Sequence, residues 1–224
     1  DSASYGLPEL FRGGLENSSL VAAPGCYPTA ASLALAPFIR AGVIESDEII
    51  VDAASGASGA GKNPQPNSLF CTIDENFAAY GLLSHRHTPE IEQALSTGSN
   101  GSSIANASVL FTPHLAPMNR GILAACYGRV KGELDTDAAL QILNEAYSGM
   151  PFIVVSEKSP TTKSTFGSNA AHLTVRVDPR TGLLVSFCAI DNLGKGASGQ
   201  AVQCANIVLG LDESDGLSAI GISP

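Results

Sequence analysis

Short runs of apolar, β-branched and aromatic residues recur along the chain and predict a protein built around a β-sheet. Glycine, proline or polar residues bound each run, which is typical of strands. The last two runs are joined by Asp178-Pro-Arg-Thr-Gly182, a turn-forming segment that predicts an antiparallel hairpin. The predicted strands are Ile49–Ala53, Val109–Phe111, Ile122–Val130, Phe152–Val155, Leu173–Val177 and Leu184–Ile190.

Other segments have apolar side chains at the spacing of an amphipathic helix. Gly42 and Gly210 follow the first and last of these segments, and Thr88-Pro89 opens the second, in agreement with helix stop and start preferences. Helices and strands do not alternate strictly, which predicts an α+β fold with a mostly antiparallel or mixed sheet and helices on one face. The predicted helices are Pro28–Ala41, Pro89–Leu95, Asp137–Tyr147 and Ala197–Leu209.

Charge and hydropathy exclude two classes of partner. The 224 residues have a formal net charge of −9 and only 12 Lys and Arg. We therefore expect no nucleic acid and no anionic membrane surface as a partner. There is also no run of 18 apolar residues, whereas a transmembrane helix needs about 20.

Five cysteines are spread along the chain, and no two have Cys-x-x-Cys spacing. This pattern predicts neither a disulfide framework nor a zinc site, and it favours a reducing compartment. We expect four of the cysteines to be buried apolar residues, namely Cys71, Cys126, Cys188 and Cys204.

The fifth cysteine, Cys26, stands at the predicted start of a helix. Pro24-Gly25 favours a tight turn before it, and Pro28 suits the first helical turn after it. Free backbone N–H groups and the helix dipole lower a thiol pKa there from about 8.5 towards 7 or below. The same N–H groups could hold an oxyanion on a bound carbonyl. Cys26 is therefore a candidate nucleophile, and the alternative is a small residue chosen for packing.

A thiol nucleophile needs a base, and His85 and His87 are the best candidates. Their spacing of two puts both imidazoles on one face of an extended segment. The second imidazole or Glu90 could fix the tautomer of the base. Metal binding by the pair is the alternative, but no third ligand is evident and we expect no metal.

A glycine-rich loop, Ser55-Gly-Ala-Ser-Gly-Ala-Gly-Lys62, nearly matches the phosphate-binding P-loop. Asn63 replaces the Ser or Thr that would hold Mg²⁺, and Pro64 opposes the helix that must follow. The sequence does not match the dinucleotide-binding G-x-G-x-x-G pattern either. Two interpretations remain: a loop that approaches a phosphate or a cofactor closely, or an ordinary glycine-rich turn.

Together these motifs resemble the N-acetyl-gamma-glutamyl-phosphate reductase family of arginine biosynthesis, in the family's order and over nearly the whole chain. The resemblance implies the catalytic domain of the glyceraldehyde-3-phosphate-dehydrogenase-like fold, with remnants of an α/β Rossmann NADP-binding domain. The matching motifs are Tyr5-Gly-Leu-Pro-Glu9, Pro24-Gly-Cys-Tyr-Pro-Thr29, Ser55–Lys62, His85-Arg-His-Thr-Pro-Glu-Ile91, Phe111-Thr-Pro-His-Leu115, Asn119-Arg-Gly121 and Asp191-Asn-Leu-Gly-Lys-Gly196.

The resemblance also implies a reaction and a set of residues. The Cys26 thiolate would displace phosphate from the acyl phosphate, and hydride from NADPH would reduce the thioester to the semialdehyde. The acid/base would be His87, or else His85, with Glu90 nearby. The implied cofactor-binding residues are Ser55, Gly56, Ser58, Gly59 and Asn192, and the implied substrate-binding residues are Arg120 and His85.

Family members begin with a Rossmann strand–loop–helix, and nothing like it precedes Asp1. The resemblance therefore implies either a fragment that lacks most of the nucleotide-binding domain, which would bind NADP poorly, or a longer protein whose preceding residues are not in this sequence. Residues 1–22 would end that domain, residues 23–190 would form the catalytic and dimerisation domain, and residues 191–224 would pack on the absent part. A cytoplasmic homodimer or homotetramer with a small-molecule substrate is expected.

Several alternatives remain open. A related reductase on the same scaffold could act on aspartyl phosphate or on a carrier-linked aminoadipyl phosphate. The chain could instead be an inactive dimerisation module, or more remotely a cysteine hydrolase. An unreactive Cys26 would favour the module, and independence from NADP would favour the hydrolase.

Overall fold

A seven-stranded mixed sheet forms the centre of the molecule in the computed structural model, which describes residues 3–63 and 65–222. The strand order is β4-β5-β3-β6-β9-β8-β7, with β3/β5 and β7/β8 parallel and the other neighbours antiparallel. The strands are β3 (Ile49–Ser55), β4 (Ala78–Ala79), β5 (Val109–Leu115), β6 (Ile122–Arg129), β7 (Ile153–Val155), β8 (Ala171–Asp178) and β9 (Leu183–Ile190).

All six predicted strands are present, and the predicted hairpin is β8–β9. A separate parallel pair, β1 (Ser4–Tyr5) and β2 (Val21–Ala22), escaped prediction. So did β4, because a two-residue strand is too short to show alternation. The α+β prediction with a mixed sheet is confirmed.

The predicted helices are found with their ends shifted by a few residues. The first helix begins at Cys26 rather than Pro28, so the cysteine is its first residue. The last predicted helix is a π-helical turn, Gly194–Ser198, that continues into α7. The helices are α1 (Pro8–Phe11), α2 (Cys26–Arg40), α3 (Phe70–Ile73), α4 (Thr88–Ser96), α5 (Thr136–Ala146), α6 (Thr162–Thr165) and α7 (Gly199–Val208).

One face of the sheet is buried under helices and the other is open. Helix α2 is buried along nearly its whole length, and Leu33 and Phe38 are fully buried in the same core as Ala124 and Cys188 of the sheet. Burial of side chains as large as these two contributes about 1.5–3 kcal/mol each. Residues of the opposite parity, such as Ile50, point away from this core. In β3 this alternation fixes the register, because a slip by one residue would exchange the two faces.

The chain segment before α2 packs on the helix near the other end of the chain. Leu15 shares a small apolar cluster with Cys204 and Ile207 of α7. The Gln200 side-chain amide donates to the Gly6 carbonyl over 2.9 Å. The predicted segments 1–22 and 191–224 are therefore in contact, apart from residues 1–2 and 223–224, which lie outside the described residues together with Pro64. Among the described helices, none is both long and apolar enough to cross a bilayer.

Candidate active site

Cys26 is the first residue of α2, and Gly25 is the residue that caps this helix end, with an extended backbone. The cysteine is half-buried and not in a disulfide. The Gly25 carbonyl accepts the first bond of the helix, from the Thr29 N–H over 2.9 Å. The sequence prediction of a cysteine at a helix N-terminus is therefore confirmed.

His87 lies directly against this turn. A Cβ atom on Gly25 would stand 2.5 Å from Nε2 of His87, so only glycine lets the imidazole come this close. Nδ1 of His87 is buried and has no hydrogen-bond partner among the described residues. The base candidate, 61 residues from Cys26 in sequence, thus lies against the residue that precedes the nucleophile candidate.

His85 lies beside His87, with ring centroids 4.8 Å apart. Its Nδ1 accepts from the backbone N–H of His87 over 3.1 Å. The segment is a series of turns rather than the extended strand that the spacing suggested: the Thr88 N–H donates back to the His85 carbonyl over 3.0 Å. The two imidazoles therefore meet because of a turn, and His85 fixes the backbone of His87.

Glu90, in the first turn of α4, accepts hydrogen bonds that hold the turn before Cys26 in place. Its Oε1 accepts from the Gly25 N–H and from the Tyr5 hydroxyl, each over 2.9 Å. No hydrogen bond joins Glu90 to His87 among the described residues. Glu90 therefore positions the backbone next to Cys26 and does not fix the imidazole tautomer.

The protonation of the pair differs from the sequence prediction. Burial raises the pKa of Cys26, although the backbone N–H groups of Tyr27 and Cys26 and the charge of Arg86 act in the opposite direction. The prediction of a lowered thiol pKa was wrong because desolvation outweighs the helix terminus. Burial, with the neighbouring His85 and Arg86, lowers the pKa of His87 to about 4. At neutral pH the cavity therefore contains a protonated thiol and a neutral imidazole.

Cys26 and His87 line one cavity of about 380 Å³. Arg86 also lines it, is exposed, and forms no ion pair with any other described residue. Sequence reasoning missed Arg86, because an extended segment would have pointed it away from both histidines. The cavity wall also includes Tyr27, Ser55, Gly56, Gly59, Ala60, Tyr80 and His85.

Two tyrosines form an unpredicted part of this wall. The Tyr80 hydroxyl donates to the Tyr27 hydroxyl over 3.0 Å, and Tyr27 donates to the His114 carbonyl over 3.2 Å. Both rings lie edge-on to His85, at centroid distances of 5.5 and 5.7 Å. Burial raises the pKa of each phenol, so both stay protonated at neutral pH.

The glycine-rich loop forms a tight turn whose N–H groups are used within the chain. The Ala57 N–H donates to the Met118 carbonyl, and the Ser58 N–H and hydroxyl donate to the Asn119 carbonyl over 3.1 and 2.7 Å. The N–H of Gly61 donates to the carbonyl of Ser58. The loop is therefore not an amide cradle for a phosphate, in contrast to a P-loop.

The Asn192 side chain joins this loop to Gly121 through two hydrogen bonds. Its Oδ1 accepts from the Gly121 N–H over 2.7 Å, and its Nδ2 donates to the Ser58 hydroxyl over 3.0 Å. Ser55, Gly56 and Gly59 thus reach the cavity, whereas Ser58 and Asn192 hold the loop in place. The five candidate cofactor residues therefore lie together, and three of them share the cavity with Cys26.

Arg120 does not line this cavity. Its guanidinium forms an ion pair with the buried Asp191 over 3.0 Å and lies over the Phe166 ring. Its direct contact with a substrate in the cavity, which the resemblance implied, is therefore not supported by this geometry.

Two further sequence predictions concern metal ligands and the other cysteines. No cluster of three His, Cys, Asp or Glu side chains that could hold a metal ion occurs among the described residues. Of the four other cysteines, Cys71 is exposed, so its predicted burial was wrong, and the remaining three are buried as expected.

The chain is similar to known proteins in sequence and in fold. Residues 26–192 match the family described as semialdehyde dehydrogenase, dimerisation domain. A protein of a Thermoanaerobacter species, N-acetyl-gamma-glutamyl-phosphate reductase, is 47% identical over 222 residues, which are 98% of this chain and 63% of that protein. The reductase of the same name from Symbiobacterium thermophilum is 47% identical over 226 residues, or 99% of this chain and 63% of that protein.

The fold has solved counterparts as well. Aspartate semialdehyde dehydrogenase II from Vibrio cholerae superposes with a TM-score of 0.69 at 18% identity, covering 91% of this chain and 67% of that one. At this identity the similarity establishes the fold and nothing more. This chain spans 63% of the length of the two curated relatives. It belongs to the semialdehyde dehydrogenase dimerisation-domain family.

Proposed function

We propose that this chain carries the thioester-forming site of an NADPH-dependent N-acetyl-gamma-glutamyl-phosphate reductase. The observation that supports the proposal is the close approach of His87 to Gly25, the residue before Cys26, together with the cavity that both Cys26 and His87 line. The two relatives at 47% identity have this name and support this substrate.

The first step is acyl transfer to Cys26. As Sγ bonds to the acyl carbon, Nε2 of His87 takes the thiol proton, and the bond from the acyl carbon to the phosphate oxygen breaks. The free N–H groups of the first turn of α2 would stabilise the oxyanion that forms on the way. Inorganic phosphate leaves, and the acyl group remains on Cys26 as a thioester.

The second step is reduction. NADPH, when bound, supplies the hydride that the thioester carbon requires. The tetrahedral alkoxide on Cys26 then collapses, the carbon–sulfur bond breaks, and the semialdehyde leaves. The imidazolium of His87 returns its proton to the sulfur, so the site is restored with its original protonation.

The residues beside Cys26 fit a planar ring. Gly56, Gly59 and Ala60 line the cavity with little or no side chain, which leaves room for the nicotinamide against the glycine-rich loop. Ser55 lies on the same wall, and Ser58 and Asn192 would hold the loop against the ring. These residues are the ones we assign to the cofactor.

The proposed substrate is anionic, and the guanidinium of the exposed Arg86 lines the cavity, where it could bind an anionic group. We assign Arg86 to the acyl phosphate or its carboxylate, with His85 on the same wall. Arg120 forms an ion pair with Asp191, so its effect on the substrate would be indirect, through the neighbouring loop. Guanidinium suits this task because its planar set of donors matches carboxylate and phosphate oxygens.

Residues 23–190 would form the catalytic and dimerisation part, and residues 1–22 and 191–224 would join the nucleotide-binding part. Two copies would pair through the open face of the sheet, where apolar side chains face solvent in this single chain. Because Cys26 must stay a thiol, a reducing compartment such as the cytoplasm suits the reaction. The side chains on this open face of the sheet include those of Ile50, Leu110, Tyr127, Val185 and Phe187.

Acylation of Cys26 tests the proposal without NADPH. The chain is mixed with N-acetyl-glutamyl phosphate, and the adduct is located by peptide mass spectrometry while released phosphate is measured. We expect one acyl group on Cys26, none in Cys26→Ala, and unchanged acylation in the control Cys71→Ala. An adduct that persists in Cys26→Ala, or phosphate release without one, would contradict the proposal. Preference for aspartyl phosphate would identify the related reductase instead.

A further inference from the structure

A fully buried ion pair lies close to the turn that packs on Cys26. Nζ of Lys195 is 2.6 Å from Oε1 of Glu9 and 2.6 Å from Oε1 of Gln203. The side chains of the pair are 0% and 2% exposed. Burying two charges costs desolvation energy that their attraction only offsets when the geometry is good, so such a pair is weak evidence for stability. A buried ion pair can instead determine which of several alignments a segment adopts.

Lys195 is the second residue of the π-helical turn, Gly194–Ser198. The Gly196 N–H donates to the Asp191 carbonyl over 2.9 Å, and the Ser198 N–H donates to the Leu193 carbonyl over 3.0 Å. π-Helical turns are rare overall, and those that occur are often found at functional sites.

The two glycines of this turn, and Gly199 directly after it, leave no room for a Cβ atom. A Cβ on Gly196 would stand 2.8 Å from Cβ of Cys26, and one on Gly199 would stand 2.5 Å from Oδ1 of Asn169. A Cβ on Gly194 would collide with the Ser168 carbonyl. The glycine contacts therefore require one alignment, with Gly196 against Cys26.

A glycine-rich segment has few side chains with which to hold that alignment. The Asp191 carboxylate fixes the first part, since it accepts from the Leu193 and Gly194 N–H groups over 2.8 and 3.0 Å. Beyond Gly194, Lys195 is the large side chain of the turn, and it is fully buried. A slip by one residue would remove its ammonium from Glu9 and bring a side chain against Cys26.

We propose that Lys195 is a positioning residue for the nucleophile: its ion pair with Glu9 holds Gly196 against Cys26 and so fixes where the thiol stands relative to His87. The inference rests on the proposed role of Cys26. It also makes the position of the thiol depend on α1, the short helix that carries Glu9.

The test neutralises both members of the pair, so that no single buried charge remains. The double variant Glu9→Gln/Lys195→Met is compared with the control Glu48→Gln/Arg129→Met, which makes an equal charge change at an exposed ion pair. Alkylation by iodoacetamide is measured at Cys26 and at the exposed Cys71 across pH 6 to 10. Circular dichroism and thermal melting establish that each variant is folded.

We expect alkylation of Cys26 in the double variant to change about tenfold or more at a given pH, with Cys71 unchanged, because small displacements at a reacting group have large effects on rate. The control pair should leave both cysteines unchanged. A folded double variant in which Cys26 reacts as in the parent chain would overturn the proposal.

If the double variant does not fold, Glu9→Gln decides, because it removes the ion pair and keeps an oxygen that can accept from Lys195. This variant should also change the alkylation rate of Cys26 and leave Cys71 unchanged, and a parental rate at Cys26 would overturn the proposal. Alkylation needs neither acyl phosphate nor NADPH, so this result is independent of whether the proposed reaction is correct.

Discussion

Nε2 of His87 lies 2.5 Å from the point where a Cβ atom would stand on Gly25. The backbone of Gly25 has φ −66° and ψ 160°, which any residue adopts. Glycine is therefore required here by the imidazole and not by the backbone. This relationship brings the His87 imidazole to the helix end that carries Cys26.

Gly25→Ala is expected to separate the pair. The added methyl group must push His87 away from Cys26, and we expect acylation of Cys26 to fall by about 100-fold, measured as thioester formation. Gly13→Ala is the matched control, because a Cβ there would meet no described atom within 4 Å and its φ is not positive. Equal rates in the two variants would show that the contact of His87 with Gly25 has no role in the reaction.

Substitutions of Glu90 distinguish positioning from acid/base chemistry. Glu90→Gln keeps an oxygen that can accept from Gly25 and Tyr5, and it removes a charge that raises the pKa of Cys26. We expect a slightly lower thiol pKa and nearly normal acylation. Glu90→Ala leaves the Gly25 N–H unpaired, which costs about 1–3 kcal/mol, and slows acylation.

Both variants are measured by the pH profile of Cys26 alkylation and by acylation rate. Glu92→Gln, on the same helix, is the control, since Glu92 also accepts from a backbone N–H, that of Val109. A Glu90→Gln variant as inactive as Glu90→Ala would show that Glu90 is needed as a carboxylate.

The lowered pKa of His87 predicts a loss of stability in acid. The folded chain holds this imidazole neutral down to about pH 4, whereas the unfolded chain binds a proton below 6.5. Between these values the unfolded state binds more protons, so the stabilisation is present above pH 6.5 and is lost as the pH falls. For a partly exposed group we expect about 1 kcal/mol between pH 7 and pH 5.

Urea unfolding at pH 7 and pH 5 measures this effect. His85 and His172 also have lowered pKa values and contribute in the same direction. The comparison with His87→Gln isolates the share of His87, and the variant should lose less stability on acidification. An identical pH dependence in the two proteins would contradict the lowered pKa.

The open face of the sheet predicts self-association. Ile50 and Leu110 are paired on neighbouring strands and are 40% and 49% exposed. Ile50→Lys is expected to shift the protein towards monomer in sedimentation velocity, because a buried charge would lack a partner in the interface. Val202→Lys is the control, since Val202 is 41% exposed and lies on α7 rather than on the sheet. Dissociation by both variants, or by neither, would argue against this face.

The sequence predicted the elements well because their signals are local. Apolar runs indicated all six strands that are longer than two residues, and Asp178-Pro-Arg-Thr-Gly182 indicated the hairpin between the last two. The two-residue strands and the π-helical turn were not predicted, because neither has a periodic pattern long enough to detect.

The candidate site was partly predictable for the same reason. A cysteine after Pro24-Gly25 indicates a helix start, and this needs only neighbouring residues. The pKa of Cys26 was predicted in the wrong direction, because burial is a property of the surroundings and the sequence shows only the helix end. Arg86 was missed because a turn, and not a strand, sets its direction.

By itself the sequence determined the class of fold, the cysteine at a helix start and the motifs that identify the family. The tertiary structure decided which groups meet: His87 with Gly25, Glu90 with Tyr5, and Lys195 with Glu9, the last pair 186 residues apart. Propensity and periodicity act between residues close in the chain. Contacts and desolvation depend on how distant segments pack, and they set the protonation and position of the reacting groups.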